Sequence, residues 1–361
     1  MSLVAIAVGT LTVIAVLADM VNTLVTTTTS RARWWLTRIT YRNLWGGVRW
    51  VAQRLPEHRR EGLLAAFAPV SVLVLLVIWV TQQIIGFGLI WWGVQGIDGV
   101  ASLTDSFYYS GVVFFTVGFG EVVPAEIVPR FGAIIEAFCG VLTIALVIGY
   151  LPALYGAYAE RERKLMLLDD GTEERITPTS LVLNRALDGD PSSLDQFFRE
   201  WEEWTAGVIE THSTFPMLRL FRSKEPGQHW VTALGLVTDA ALHIQIVRGT
   251  DRGPQYWLLR RSIRLFELLT EDVDLTEYRQ PYADDAVNPL FLDLYAHLQS
   301  HGFDLIPLEE AVVVARDLRS RWAPQMEYLI DLLLAPRGFW GHAIGHRLSS
   351  EHDHLAHPDQ G

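Results

Sequence analysis

Lysine is nearly absent from this chain. Of its 29 basic residues only Lys164 and Lys224 are lysine, and the rest are arginine. Cysteine is scarcer still. Cys139 stands alone, so no disulfide can form within the chain and there is no basis for a cysteine zinc centre. Charge is thin, at 19% of residues, and the net formal charge of −12 lacks the basic excess that nucleic-acid binding needs. What is abundant is apolar surface, with 50% hydrophobic residues and a mean hydropathy of +0.21. That balance excludes a disordered or fibrous chain and is too apolar for an ordinary soluble enzyme. A length of 361 residues allows two or more domains.

The charges are unevenly distributed. Residues 1–159 hold 9 basic and 8 acidic side chains, whereas residues 160–361 hold 20 and 33. An apolar first half and an acidic second half read as a membrane part and a soluble part. Residues 1–27 form the first expected span, because a membrane helix needs about 20 apolar residues. No basic residue precedes Arg31, as a signal peptide would require. Asp19 is either an interfacial carboxylate or an intramembrane acid.

Segment 28–61 carries eight arginines, Arg31, Arg33, Arg38, Arg42, Arg49, Arg54, Arg59 and Arg60, opposed only by Glu57 and Glu61. With Trp34, Trp35, Trp45 and Trp50 interleaved, it reads as a cytoplasmic helix at the membrane surface. It is not a voltage sensor, because its arginines do not sit in an apolar span. Gly62–Ile97 then runs for 36 residues without charge, and residues 131–159 form the last apolar run, interrupted by Glu136. The arginine bias places 31–61 inside and 98–130 outside, hence the N-terminus outside and the C-terminal part in the cytoplasm. Helices are expected at about 192–212, 228–248, 255–270, 286–300 and 306–334, within a cytoplasmic domain of 160–348 and before a disordered tail of 349–361.

Between the last two spans lies Thr116-Val117-Gly118-Phe119-Gly120. A filter for a dehydrated monovalent cation must replace water with protein oxygens, and backbone carbonyls aimed at one axis supply them. Carbonyls that all point one way need alternating backbone angles, which Gly118 and Gly120 permit. The Thr116 hydroxyl adds a further ring of oxygens. Residues 103–115 suit a short re-entrant helix whose C-terminal dipole end points at the cation path.

This stretch resembles the pore of prokaryotic potassium channels, whose filter reads Thr-Val-Gly-Tyr-Gly followed by Asp. Here Phe119 replaces the tyrosine and Glu121 the aspartate. Pro124 falls where the family often has proline. Gly140 matches the family's inner-helix hinge glycine, and Glu136 is similar to a glutamate of many members. The resemblance implies an all-α membrane protein with an outer helix at 63–95, a pore helix at 103–115, a filter at 116–120 and an inner helix at 129–159. It implies a homotetramer in the cell membrane that selects potassium, with permeant potassium and no cofactor. Tyr108, Tyr109, Phe115 and Glu121 are the candidates for filter support. Glu136, Gly140, Gly149 and Pro152 are the candidates for gating. Phe119 lacks the hydroxyl that ties the family's filter to its surroundings. Phe115 stands where a small hydroxyl residue is usual, which implies altered inner support.

Two other functions fit less of the sequence. A cation transporter subunit usually carries four degenerate loops in one chain, and a membrane-tethered regulator would have a vestigial pore. Glu136 reads equally as an interhelical hydrogen-bond acceptor. His342 and His346 are spaced for a transition metal on a helix but lack a third ligand at firm spacing. Neither a nucleotide-binding glycine fingerprint nor a nucleophile–base pair stands out, so no enzyme is expected. A cytoplasmic ligand or partner is left open.

Overall fold

The computed structural model describes residues 2–24, 35–94, 97–98, 100, 102–168, 176–187, 191–224, 227–248, 252–271, 273–278, 289–300 and 305–337. The protein is an all-α membrane protein. Among the described residues three helices are long and apolar enough to cross a membrane: α1 (Leu3–Leu24), α3 (Glu57–Val94) and α5 (Ile127–Met166). The chain forms two compact units. Unit 1 comprises Met1–Ala157 with Ser213–Phe221, and unit 2 comprises Tyr158–His212 with Arg222–Gly361. A contiguous boundary near residue 160 does not anticipate the return of 213–221 to unit 1.

In unit 1, α1 runs antiparallel to α3. Ser2 N–H bonds the Gly93 carbonyl at 3.2 Å. Further along, a Cβ on Gly9 would strike the Gly86 carbonyl, so only glycine allows this approach. Trp79 meets Asp19, and Leu24 and Val72 line one small apolar crevice. The 22 residues of α1 extend about 33 Å at 1.5 Å each, which matches a hydrocarbon core about 30 Å thick. The partner stretch of α3 is therefore 72–93, and residues 57–71 continue beyond it. Helix α3 begins earlier than the expected 63, because the Pro56 carbonyl accepts from Arg59 and Arg60 and the charged turn is helical.

Helix α2 (Trp35–Ala52) is the basic segment. Thr37 reaches Asp19, Tyr41 meets Ser71, and Trp45 packs on Phe67 with ring centroids 5.0 Å apart. These pairs set α2 antiparallel along the extension of α3, not across its end. Arg38 and Arg42 are exposed. Arg31 and Arg33 lie outside the described residues.

Helix α4 (Leu103–Phe114) starts at a capping box. Ser102 Oγ accepts from Asp105 N at 3.2 Å and Asp105 Oδ2 accepts from Ser102 N at 2.9 Å. Strands β1 (Ile97–Asp98) and β2 (Val123–Pro124) pair antiparallel, Ile97 opposite Pro124. They clip together the segments flanking α4 and the loop 115–121. Helix α5 is helical through Pro152 and runs seven residues past the expected end at 159, since the charges of Glu160–Lys164 do not break a helix.

Unit 2 is built around α8 (Trp230–Arg248). Its residues through Ile246 are buried on every side, as expected of a helix apolar all round. It is wrapped by α6 (Pro178–Leu187), α9 (Pro254–Leu269), α11 (Leu308–Ser320) and α12 (Ala323–Leu333), with α7 (Pro191–Thr214) and α10 (Pro289–Ser300) completing the unit. The single helix expected over 306–334 is two. The chain turns at Arg321–Trp322, and Pro324 sits in the first turn of α12, where its missing N–H costs nothing. Helix α6 was not expected, although Thr177 and Ser180 bond reciprocally at its start. The buried carboxylate of Asp239 is paired with Arg319 at 3.4 Å. His342, His346 and the expected tail of 349–361 lie outside the described residues.

Candidate functional site: the loop between α4 and α5

The loop leaves α4 with Thr116 N–H bonded to the Val113 carbonyl and Val117 N–H to that of Val112, both at 2.9 Å. Its backbone then alternates in hand. Thr116, Gly118 and Gly120 have φ of 54°, 59° and 88°, while Val117 and Phe119 between them stay negative. For glycine this is cheap. For Thr116 it is strained, and strain of this kind persists only where surrounding structure imposes it. The glycine positions at which the sequence allows unusual backbone angles, Gly118 and Gly120, are among the three with positive φ.

Residues 115–121 are all exposed in the single chain, with Phe119 at 69% and Val117 at 49%. Helix α5 likewise leaves Phe131, Ile134, Ile135, Phe138 and Val141 bare. Exposed apolar surface of this extent calls for lipid or another protein surface to cover it.

The support candidates separate into two kinds. Tyr108 donates its hydroxyl to Glu121 Oε1 at 2.6 Å, fastening the far end of the loop to α4. Tyr109 is buried instead, edge-on to Trp91 with centroids 5.7 Å apart, in a core with Val13, Phe87, Ile97 and Cys139. Phe115 is half exposed and packs edge-on to Phe114.

The gating candidates also divide. Glu136 is fully buried. Its Oε2 accepts from Trp91 Nε1 at 2.6 Å and its Oε1 accepts from the Ser110 hydroxyl. Of its two sequence readings, this geometry is the interhelical one. At Gly140 a Cβ would run into the Phe114 carbonyl oxygen, so the glycine lets α5 touch the end of α4. That is a packing requirement, and α5 is unbroken there. Gly149 faces open space. Pro152 lies within α5 and removes one of its hydrogen bonds. The residues missed from sequence are Trp91 and Ser110 as partners of Glu136, and Thr37 and Trp79 as partners of Asp19. Thr37 Oγ1 donates to Asp19 Oδ2 at 2.6 Å and Trp79 Nε1 donates to the same oxygen at 2.9 Å.

Residues 72–155 match the protein family described as ion channel. The match runs from the membrane stretch of α3 through α4 and the loop to Tyr155 of α5. Residues 72–155 are thus similar to an ion-channel domain. A curated relative, the "Uncharacterized membrane protein YdjJ" of Bacillus subtilis (strain 168), is 26% identical over 209 residues, which cover 55% of this chain and 57% of the relative. The chain thus spans little more than half the length of that relative. No solved structure matches the chain. The matched stretch holds all the candidate filter residues, and the apolar helices make this a multi-pass membrane protein.

Proposed function

We propose that the protein is a potassium-selective channel in which four chains surround one pore, each contributing the loop Thr116–Gly120. The observation that carries this reading is the alternation of positive φ at Thr116, Gly118 and Gly120. Such alternation would turn successive backbone oxygens of an otherwise apolar segment toward one axis, the chemistry that replaces the hydration shell of potassium. Irregular backbone at membrane depth must line a wet cavity or be buried in protein. One chain cannot encircle an ion, and the bare faces of the loop and of α5 are what neighbouring copies would cover. In this reading Tyr108–Glu121 takes over the fastening role of the absent tyrosine hydroxyl at Phe119.

The channel would sit in the cell membrane with its N-terminus outside and unit 2 in the cytoplasm. Unit 2 would influence a gate formed by bending of α5 near Gly149 and Pro152. Permeant potassium is the transported substrate, and no cofactor takes part. Flux into sealed vesicles containing the purified protein tests the function. Potassium should equilibrate and sodium should not. Gly118→Ala should stop the flux while the protein still inserts, because a Cβ opposes φ near 59°. Equal entry of both ions, or undiminished flux through Gly118→Ala, would overturn the assignment of the filter.

A further inference from the structure

From the last turn of α7 the chain sends Ser213–Phe221 into unit 1, where Pro216–Leu220 forms a short 3-10 turn. This segment is seated on the pore helices at the end away from the filter. Met217 is buried, and its sulfur lies 3.6 Å from the hydroxyl of Tyr41 on α2 and 3.6 Å from that of Tyr150 on α5. Tyr41 also meets Ser71 of α3 at 3.5 Å. Phe215 packs edge-on to Tyr150 with ring centroids 5.3 Å apart, and Phe221 packs edge-on to Tyr155 at 6.0 Å. Tyr150 and Tyr155 stand on either side of Pro152. One short segment therefore grips α5 before and after the residue at which its hydrogen-bond ladder is broken.

We propose that residues 213–221 act as a splint on α5, with Met217, Phe215 and Phe221 as positioning residues that hold the helix unbent at Pro152. The inference rests on the reading of α5 as the gating helix. Bending at Pro152 changes the separation of Tyr150 and Tyr155. A 3-10 turn with a ring at each end cannot follow both, so a bend must break one set of contacts. The sulfur of Met217 is a soft partner that two hydroxyls can share, and its side chain is flexible enough to let go and re-engage. Both ends of the segment continue into unit 2, at His212 and at Arg222. A rearrangement of that unit is thus delivered to the splint along the backbone, in addition to the direct run of α5 through Glu160–Lys164.

The test is single-channel recording from the full-length protein in planar bilayers. Met217→Ala and Phe221→Ala should each raise open probability several-fold with the reversal potential unchanged. Met217→Leu, which keeps the volume, should restore much of the wild-type value. A merely structural role would lower the yield of assembled protein without this pattern. A second arm covers poor folding of these variants. Tyr155→Cys and Phe221→Cys are combined in a Cys139→Ala background. Oxidation should close the channel, and reductant should reopen it. Open probability that is unchanged or lowered in the alanine variants overturns the splint, as does a cross-link that fails to form or leaves the current unaltered. A wild-type protein that passes no selective current overturns the channel reading itself, and the splint with it. Selective current with insensitive variants overturns the splint alone.

Discussion

Trp91 of α3 donates its indole N–H to the buried carboxylate of Glu136 on α5 at 2.6 Å. Ser110 of α4 donates to the other oxygen. A single carboxylate thus joins the three helices that frame the loop Thr116–Gly120, accepting from one donor on each of the other two. Removing it strands the Trp91 N–H, at a cost of about 1–3 kcal/mol, and leaves the Ser110 hydroxyl only its bond to the Ile84 carbonyl at 3.0 Å. Glu136→Ala should therefore lower the melting temperature of the purified protein more than Trp91→Phe, which removes only one donor. A Glu136→Ala protein that melts like wild type would show that the carboxylate carries no structural load.

Gly140 and Gly149 give opposite expectations although both lie on α5. A methyl at Gly140 meets the Phe114 carbonyl, whereas one at Gly149 meets nothing within 4 Å. Gly140→Ala should reduce the recovery of assembled protein and displace the end of α4. Gly149→Ala should assemble normally and, by raising helix propensity by about 1 kcal/mol, resist bending. Size-exclusion profiles of the two variants check this. Normal assembly of Gly140→Ala would restore the hinge reading for that position.

Asp19 ties α1 to α2 and α3 through Thr37 and Trp79. The pair should be energetically coupled. Asp19→Ala and Thr37→Val should each destabilise, and the double variant should lose less than the sum. A coupling of about 0.5–2 kcal/mol is expected in a double-mutant cycle by thermal or denaturant unfolding. Strict additivity would mean that the bond contributes nothing.

The membrane spans and the loop between α4 and α5 were legible in the sequence because their constraints are local. Glycine spacing, the uncharged runs and a charge-free filter loop each announce themselves over a few residues. The matched stretch 72–155 covers that same region. The partners of Glu136 and Asp19 were not legible. Trp91 and Trp79 are 45 and 60 residues from them, and nothing in a tryptophan's neighbours says which carboxylate it will meet. Gly140 was visible in the sequence, but its approach to the Phe114 carbonyl was not, since a close approach depends on another element's position. Helix α6 was missed although Thr177 and Pro178 spell a start signal, because a ten-residue helix offers little periodicity. The return of 213–221 to unit 1 is a purely tertiary fact. The break between α11 and α12 did have a local cue in Pro324.

Unit 2 should weaken in mild acid. His243 on α8 is buried against Asp239, Arg319 and the ring of Phe291, and burial holds its pKa below the ordinary 6.5 despite Asp239. His229 at the start of the same helix is held lower still, by burial and by the Arg222 and Arg161 charges. The unfolded chain takes up protons near 6.5 that the folded one refuses, so stability rises with pH there and is lost as pH falls below about 6.5. Unfolding midpoints measured between pH 7.5 and 5.5 should drop. The drop should be smaller in His243→Gln, compared with its own value at pH 7.5. An equal drop in both would exclude His243 as a source.

The central claim is that the loop Thr116–Gly120 selects potassium. Its most direct test is the reversal potential of purified wild-type protein in a planar bilayer with potassium on one side and sodium on the other. The account predicts a reversal displaced strongly toward the potassium equilibrium potential. A reversal near zero, with the two cations permeating alike, would contradict it.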